Sequence, residues 1–327
     1  MTLGRGREAR RDAAYAALTG GDFAGRLGAV YALVELADEW LGEVSLPVGV
    51  RRGHVQGVID RLCAYLRSPL STAADNGPAG ESAGAQGRIQ QAIVEEIHRR
   101  VQHPVASAEG ASLAGAWSGF AFNFSGAVFV CTVNFTGSRW EHEVDFSDCI
   151  FMRDALFSCS VFTGTANFAH SSYRALADFS ESLYQDAAYF GGCTWGGRTV
   201  FSGSVFEGAA DFSGAAYLAD VIFTDAVFVN CAPSLHGCIF SPHSVQEFTR
   251  TPEQGHPIVL EGDLPVGSHL LTPGQLTRLA KLRQKVTQRR EQLADKPAGS
   301  AAHRRAARRL EQAHEAFARW AHGLTAD

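Results

Sequence analysis

The sequence predicts an α+β multidomain chain: a repeat solenoid in the middle, a helical module before it and a helical hairpin after it. Three observations carry that expectation. Phe is over-represented, with 21 of 327 residues against 2 Met and 7 Tyr, as a repeat built on one large apolar side chain would require. Apolar residues recur at helical spacing near both ends. Gly, Pro and Ser gather where those patterns break.

The N-terminal module is expected over residues 1–103. Residues 26–37 place Leu27, Val30, Tyr31, Val34 and Ala37 on one helical face,. Residues 54–67 repeat the pattern with Val55, Val58, Ile59, Leu62 and Leu66, and Pro69 stops the helix,. Residues 70–87 are polar and turn-rich, and read as a flexible insert,. A third helix is expected over 88–101, where Ile89, Ile93 and Ile97 fall four apart. Short helices of this kind stack antiparallel into a small all-α unit.

The middle of the chain carries the strongest signal. Large side chains fall at Phe124, Phe129, Phe135, Trp140, Phe146, Phe151, Phe157, Phe162, Phe168, Tyr173, Phe179 and Tyr184, and continue at Phe190, Trp195, Phe201, Phe206, Phe212, Tyr217, Phe223 and Phe228. The steps alternate five and six throughout, slip by one residue after Asn230 at Pro233, and resume at Leu235 and Phe240. Sixteen of the 21 Phe lie on this ladder. Two residues before each large side chain stands a small or β-branched one, such as Ser160, Ala166, Ser171 or Ala177. The unit fits neither a helix of period 3.6 nor a strand of period 2. It fits a solenoid with four units per coil of 22 residues, a little over five coils from 124 to 240 and roughly 25 Å tall at ordinary strand spacing.

The run from Phe201 through Phe206 to Phe212, with its Ser, Gly, Ala and Asp between, resembles the pentapeptide repeat proteins in their Phe-rich five-plus-six variant. The resemblance covers about 115–240. It implies a right-handed parallel β-helix with four sides, a pentapeptide-repeat domain expected over 113–240. Residues 26–33 and 62–69 also resemble the helical leader of actinobacterial members, many of which carry membrane helices upstream. The family implies the fold, and no agreed activity.

A 22-residue coil stacks Phe124, Phe146, Phe168, Phe190 and Phe212 in one column and Phe135, Phe157, Phe179, Phe201 and Phe223 in another. Tyr and Trp appear only in the other two columns. Because a buried Tyr or Trp needs a hydrogen-bond partner, those two sides are expected to reach solvent or a neighbouring group.

Residues 241–271, with Pro242, Pro252, Pro257 and Pro265, read as a cap and linker. Two helices follow over 272–327, broken at 296–299, with Thr272 as N-cap and Pro273 at the first helical position,. Leu279, Leu282, Val286 and Leu293 are expected to face Leu310, Ala313, Phe317, Trp320 and Leu324 in an antiparallel hairpin,.

No residue set supports an enzyme, and no catalytic, metal or cofactor site is expected. Gly80 to Gly84 matches G-x-S-x-G by letter but lacks the strand and helix that a nucleophile elbow needs,. Gly191-Gly192 and Gly196-Gly197 read as solenoid corners. Cys149, Cys193 and Cys238 share one inward small position and are too far apart for a disulfide,. Seven Cys without paired spacing, no apolar leader and no apolar run of 18 residues lead to the expectation of a cytoplasmic protein with no membrane span,.

Charge is the remaining clue. Residues 111–240 hold 4 Arg and no Lys against 12 acids, whereas 272–327 hold 12 Lys and Arg against 5 acids. The overall net charge of −5 speaks against direct nucleic-acid binding,. The expected function is a non-enzymatic protein–protein interaction scaffold whose partner the sequence does not identify, with a possible homo-oligomer through the C-terminal helices. The alternative, implied by the family's quinolone-resistance members, is a DNA-mimicking regulator of DNA gyrase, a type II topoisomerase. In either case the candidate partner-binding residues are Asp145, Asp148, Asp154, Asp178, Glu181, Asp186, Asp211, Asp220 and Asp225.

Overall fold

The computed structural model describes residues 2–68, 79–102, 115–249, 252–294, 296 and 300–324. Four helices come first: α1 (Thr2–Gly20), α2 (Phe23–Gly42), α3 (Val48–Leu66) and α4 (Ala79–Val101). Asp22 caps α2 by accepting from the Gly25 N–H at 2.8 Å,. The buried face of α2 runs through Val30, Leu33, Val34, Ala37 and Trp40. Tyr31, expected on that face, is 43 % exposed, because the buried stripe runs through Val30, Leu33, Val34 and Ala37 and Tyr31 lies about 100° round the helix from Val30, outside it,. The α3 stripe is buried as its spacing predicts. Pro69 and residues 70–78 of the expected insert lie outside the described residues. Residues 79–87, expected in that turn-rich insert, form the start of α4: no Pro interrupts them, and their Ala, Glu and Gln offset Gly80, Gly84 and Gly87,.

The middle of the chain is a parallel β-solenoid with four sides. Two- and three-residue strands stack on each side into sheets of 5, 7, 6 and 5 strands. The first side begins with Phe122–Asn123, the second with Val128–Phe129, the third with Val133–Asn134 and the fourth with Arg139–Trp140. The register advances by 22 residues per coil, as in Ser172 against Thr194 and Leu183 against Val205. The slip at Pro233 appears as a 23-residue step, Ala216 against Ile239. The expected cap and linker at 241–271 is in part more solenoid. Gln246–Phe248 adds to the third side beneath Val221–Phe223, and His269–Leu270 adds to the second beneath Ile239–Phe240. Its prolines sit outside those strands, so the irregular spacing hides the pairing.

The ladder fills the interior. On the first and third sides the inward strand residue is small or β-branched, apart from Phe122 in the first strand, and the Phe sits at the following corner. On the second and fourth sides the aromatic itself points in. Phe146, Phe168, Phe190 and Phe212 stack with centroids 5.1 Å apart and planes within 4°. Phe157 to Phe223 stack likewise, Phe135 sits tilted by 36° on Phe157, and Phe248 adds one more rung below Phe223. The small column is polar but satisfied. Ser160, Ser171, Ser182 and Ser204 each donate through Oγ to the carbonyl of a ladder Phe one coil earlier, at 2.6–2.8 Å. Cys149, Cys193 and Cys238 donate through Sγ to Phe124, Phe168 and Phe212 in the same way. These cysteines stand in for serine.

The Tyr and Trp columns do not reach solvent. Tyr173, Tyr184, Trp195 and Tyr217 are fully enclosed, and their hydroxyl and indole groups lack hydrogen-bond partners of good geometry. Burial pushes all three tyrosine hydroxyls well above their usual pKa. Stacking on the rings above and below, 4.3 Å between Tyr173 and Trp195, holds them there,. Trp140 finds a partner, donating from Nε1 to the Ser138 hydroxyl at 2.6 Å.

The hairpin consists of α5 (Pro273–Ala294) and α6 (Ala301–His322). Thr272 and Gln275 cap each other reciprocally, Gln275 N–H to Thr272 Oγ1 at 3.3 Å and Thr272 N–H to Gln275 Oε1 at 2.7 Å,. The Phe317 side chain and residues 297–299 lie outside what is described.

Candidate interaction surface

The two ends of the solenoid are treated differently. At the N-terminal end, α3 and α4 cover the open edge of the first coil. Gln90 donates from Nε2 to the Val128 carbonyl at 2.9 Å and accepts from the Val130 N–H at 3.0 Å. Gln56 does the same for both backbone groups of Ala121, at 2.8 and 3.2 Å. The His98 ring contacts the Thr136 carbonyl at 2.7 Å. A side-chain amide has the same donor and acceptor as a peptide group, so these glutamines occupy the place of a missing strand. Sequence reasoning missed them. The available signal was polar Gln90 in the middle of the Ile89–Ile93 face, where it is fully buried.

A charged cluster lies behind this cap. Glu96, almost wholly buried, bonds Arg99 and Arg100, and Arg100 continues to Asp38 at 2.7 Å. Asp38, Arg99 and Arg100, with Leu41 and Ala116, line an open depression of about 440 Å³. The network satisfies its own charges, and Arg100 also lies over the Trp117 ring.

The C-terminal hairpin lies along the second side. Leu276 and Leu279 pack with Trp320 and Leu324 on Ala216, Leu218, Ile239 and Leu271. Ala216 and Ile239 point out of the solenoid, yet both are buried by this contact. Further along α5, Arg283 comes next to Arg174 of the solenoid. Burial, then that like charge, lowers its pKa to about 10. The side under α5 is therefore apolar in its middle and basic at one corner.

The nine candidate acids do not form one patch. Asp145 and Asp211 are on the first side, Asp178 on the third. Each accepts the backbone N–H two residues on, Ser147, Ser213 and Ser180, at 2.9, 2.9 and 3.0 Å. Asp148, Glu181 and Asp225 occupy corner positions with φ between 55° and 58°, in the same columns as corner glycines such as Gly192 and Gly203. Short polar side chains tolerate this left-handed backbone and Gly accepts it freely, which explains Asp and Gly there without any ligand. Asp154 and Asp220 accept from the Leu176 and Val245 N–H groups at 3.2 and 2.9 Å, and Asp186 accepts from the Thr165 hydroxyl at 2.9 Å. Every one of the nine thus makes a local contact or holds a corner. Gly197 belongs to the frame too: a Cβ there would lie 2.1 Å from the Ala175 carbonyl oxygen.

Residues Gly80 to Gly84 lie within α4, and the first strand of the described residues begins only at Phe122. Burial pushes the Cys63, Cys131 and Cys238 thiols up to about 12, away from reactive thiolate,. Cys159 and Cys231 are exposed. Among the described residues no group of three or more His, Cys, Asp or Glu is placed to hold a metal ion. No helix among them is long and apolar enough to cross a membrane.

A 22-residue coil, four sides, an inward Phe at alternate corners and a small residue two before it define a class: the repeat proteins built as a four-sided parallel β-solenoid. Comparison with known families agrees, the family described as pentapeptide repeats (nine copies) matching residues 185–227. The chain carries pentapeptide repeats within this solenoid. No curated protein and no solved structure matches it.

Proposed function

We infer that this protein is a non-enzymatic interaction scaffold, binding a protein partner through the outward residues of its solenoid. The observation that supports this is the contrast between inside and outside. Interior positions are fixed by stacking, whereas outward columns repeat every coil on a rigid frame and are free to vary. One side already accommodates an amphipathic helix, α5, through residues such as Ala216 and Ile239. Stacked coils of this kind make extended binding surfaces in other solenoids.

The test is affinity capture with the full chain, followed by cross-linking and peptide mapping. A stoichiometric partner that survives moderate salt and cross-links to solenoid residues is expected. If capture is unaffected by substitutions on every uncovered side, the reading fails. DNA mimicry of the gyrase substrate is the weaker reading. It needs a phosphate-like line of charge on one flank, whereas Asp178 and Asp211 lie on opposite sides. Reversing Asp178, Glu181 and Asp211 to Lys and assaying gyrase supercoiling would separate the two: an effect of the parent chain, lost on reversal, would favour mimicry.

A further inference from the structure

The fourth side carries an unbroken outward column, Val161, Leu183, Val205 and Val227, each paired in register with the next. All four are half-buried. The coils are about 4.8 Å apart, so the column runs for about 14 Å, the length of about ten helical residues. Acids flank it on both edges. Glu181 and Asp225 stand at the preceding corner, and Asp186 and Glu207 at the following one. Between 157–165, 179–187, 201–209 and 223–230 there is no Lys or Arg. The Arg139 of the first coil is tied to Glu141 at 3.1 Å. No other side has this composition. The first side presents Asn123, Asp145, Asn167 and Asp211, the third is interrupted by Asp178, and the second is under α5.

We propose that the fourth side is the docking site for a basic amphipathic α-helix of a partner protein. The inference rests on the interaction reading above and names the chemistry of its partner. Helix contacts at i, i+3 and i+7 advance by about 5 Å per turn, close to the coil spacing, so a Leu stripe can meet one outward side chain per coil. The molecule already contains this geometry: Leu276 and Leu279 of α5 sit on the second side in that way. The chain leaves the solenoid from the second side at His269–Leu270, which delivers α5 there rather than to the fourth side. Acidic edges repel nucleic acid and anionic lipid, and attract Arg or Lys placed beside a Leu stripe.

The experiment uses the full chain and a stapled 16-residue peptide with Leu at i, i+4, i+7 and i+11 and Arg at the flanking positions. A second peptide carries Glu in place of Arg. Saturable binding of the Arg peptide by fluorescence anisotropy is expected, weakening with salt, with hydrogen-exchange protection at Leu183 and Val205. Val205→Lys and Leu183→Lys should each weaken it tenfold or more at unchanged melting temperature, and Tyr189→Lys on the first side should not. Equal affinity for the Glu peptide, protection on another side, or indifference to both substitutions would overturn the proposal. The two readings fail separately. A captured partner that cross-links to the first or third side removes the fourth-side inference and keeps the scaffold, whereas no capture at all removes the scaffold.

Discussion

The two ends of this solenoid solve one problem by different means. A stack of parallel strands ends in open N–H and C=O groups, which invite pairing with another chain. At the N-terminal end the groups are met one by one, by Gln56, Gln90 and His98 reaching down from α3 and α4. At the C-terminal end the solenoid pairs with its own continuation: the His256 N–H bonds the Phe228 carbonyl at 2.7 Å, and strands at Gln246–Phe248 and His269–Leu270 extend two sides. The helices there lie along a side. The lesson is that the N-terminal module is part of the solenoid's folding unit, while the hairpin is an attachment to its surface.

The largest test of that difference is removal of each in turn. Without residues 2–102 the first coil exposes both its strand edges and the apolar residues Trp117, Phe120 and Phe122, which share one core with α2, α3 and α4. Aggregation is expected, read by light scattering. Without residues 273–327 the coil signature in far-UV circular dichroism should persist with a cooperative but lower melting transition. Equal solubility of the two truncated chains would break the comparison.

Single substitutions repeat the contrast on a smaller scale. Leu279→Ala removes a nearly enclosed side chain and should cost about 2–5 kcal/mol if the hairpin contact folds with the rest,. Gln90→Leu leaves the Val128 carbonyl and Val130 N–H without partners and should cost about 1–3 kcal/mol for each group left buried,. The two differ in where the loss appears. Hydrogen exchange should rise in α5 and α6 for the first variant, and in the first coil for the second.

The interior of the solenoid was legible because sixteen Phe at strict spacing can only be a stack. The caps were not. A glutamine that mimics a peptide group looks, in sequence, like any polar residue on a helix, and its meaning depends on a strand 38 residues away. The acids are ambiguous in sequence for a related reason. Asp178 is common at turns whether or not a ligand exists, and its bond to the Ser180 N–H is a backbone requirement,. The strands in 241–271 were hidden by insertions: register there jumps by 25 residues at Val221–Gln246 and 30 at Ile239–His269. Tyr173, Tyr184 and Tyr217 defeated the expectation that a phenol seeks a partner, since ring stacking and enclosure outweigh the lost hydrogen bond.

That last point gives a smaller test with the opposite sign. Tyr173→Phe keeps the ring between Phe151 and Trp195 and removes an enclosed hydroxyl that has no partner. The variant should be more stable, by about 1–3 kcal/mol. Phe168→Tyr, in a column of Phe alone, should lose stability instead. If Tyr173→Phe destabilises the chain, its hydroxyl is held by something such as an internal water, and the two kinds of column are less different than their stacking suggests.

The smallest effect expected is a pH dependence confined to the N-terminal end. The Ser45 hydroxyl and then the Arg7 guanidinium hold the Glu43 carboxyl down to about 2, and Arg10 and Arg7 lower Glu39. A carboxylate whose pKa is lowered on folding contributes stability that is whole above its ordinary value near 4.5 and is lost as pH falls toward 2,. These groups are solvent-exposed, so screening keeps the contribution small. The contacts join α1 to the end of α2, and amide protection in α1 should therefore hold from neutral pH to about 4.5 and decline below it,. Arg7→Met should flatten that decline and leave α5 and α6 unaffected. Protection in α1 that stays level down to pH 2 in the parent chain would mean that these ion pairs add nothing to the contact, leaving apolar packing between α1 and α2 to hold the outermost helix against the module that closes the solenoid.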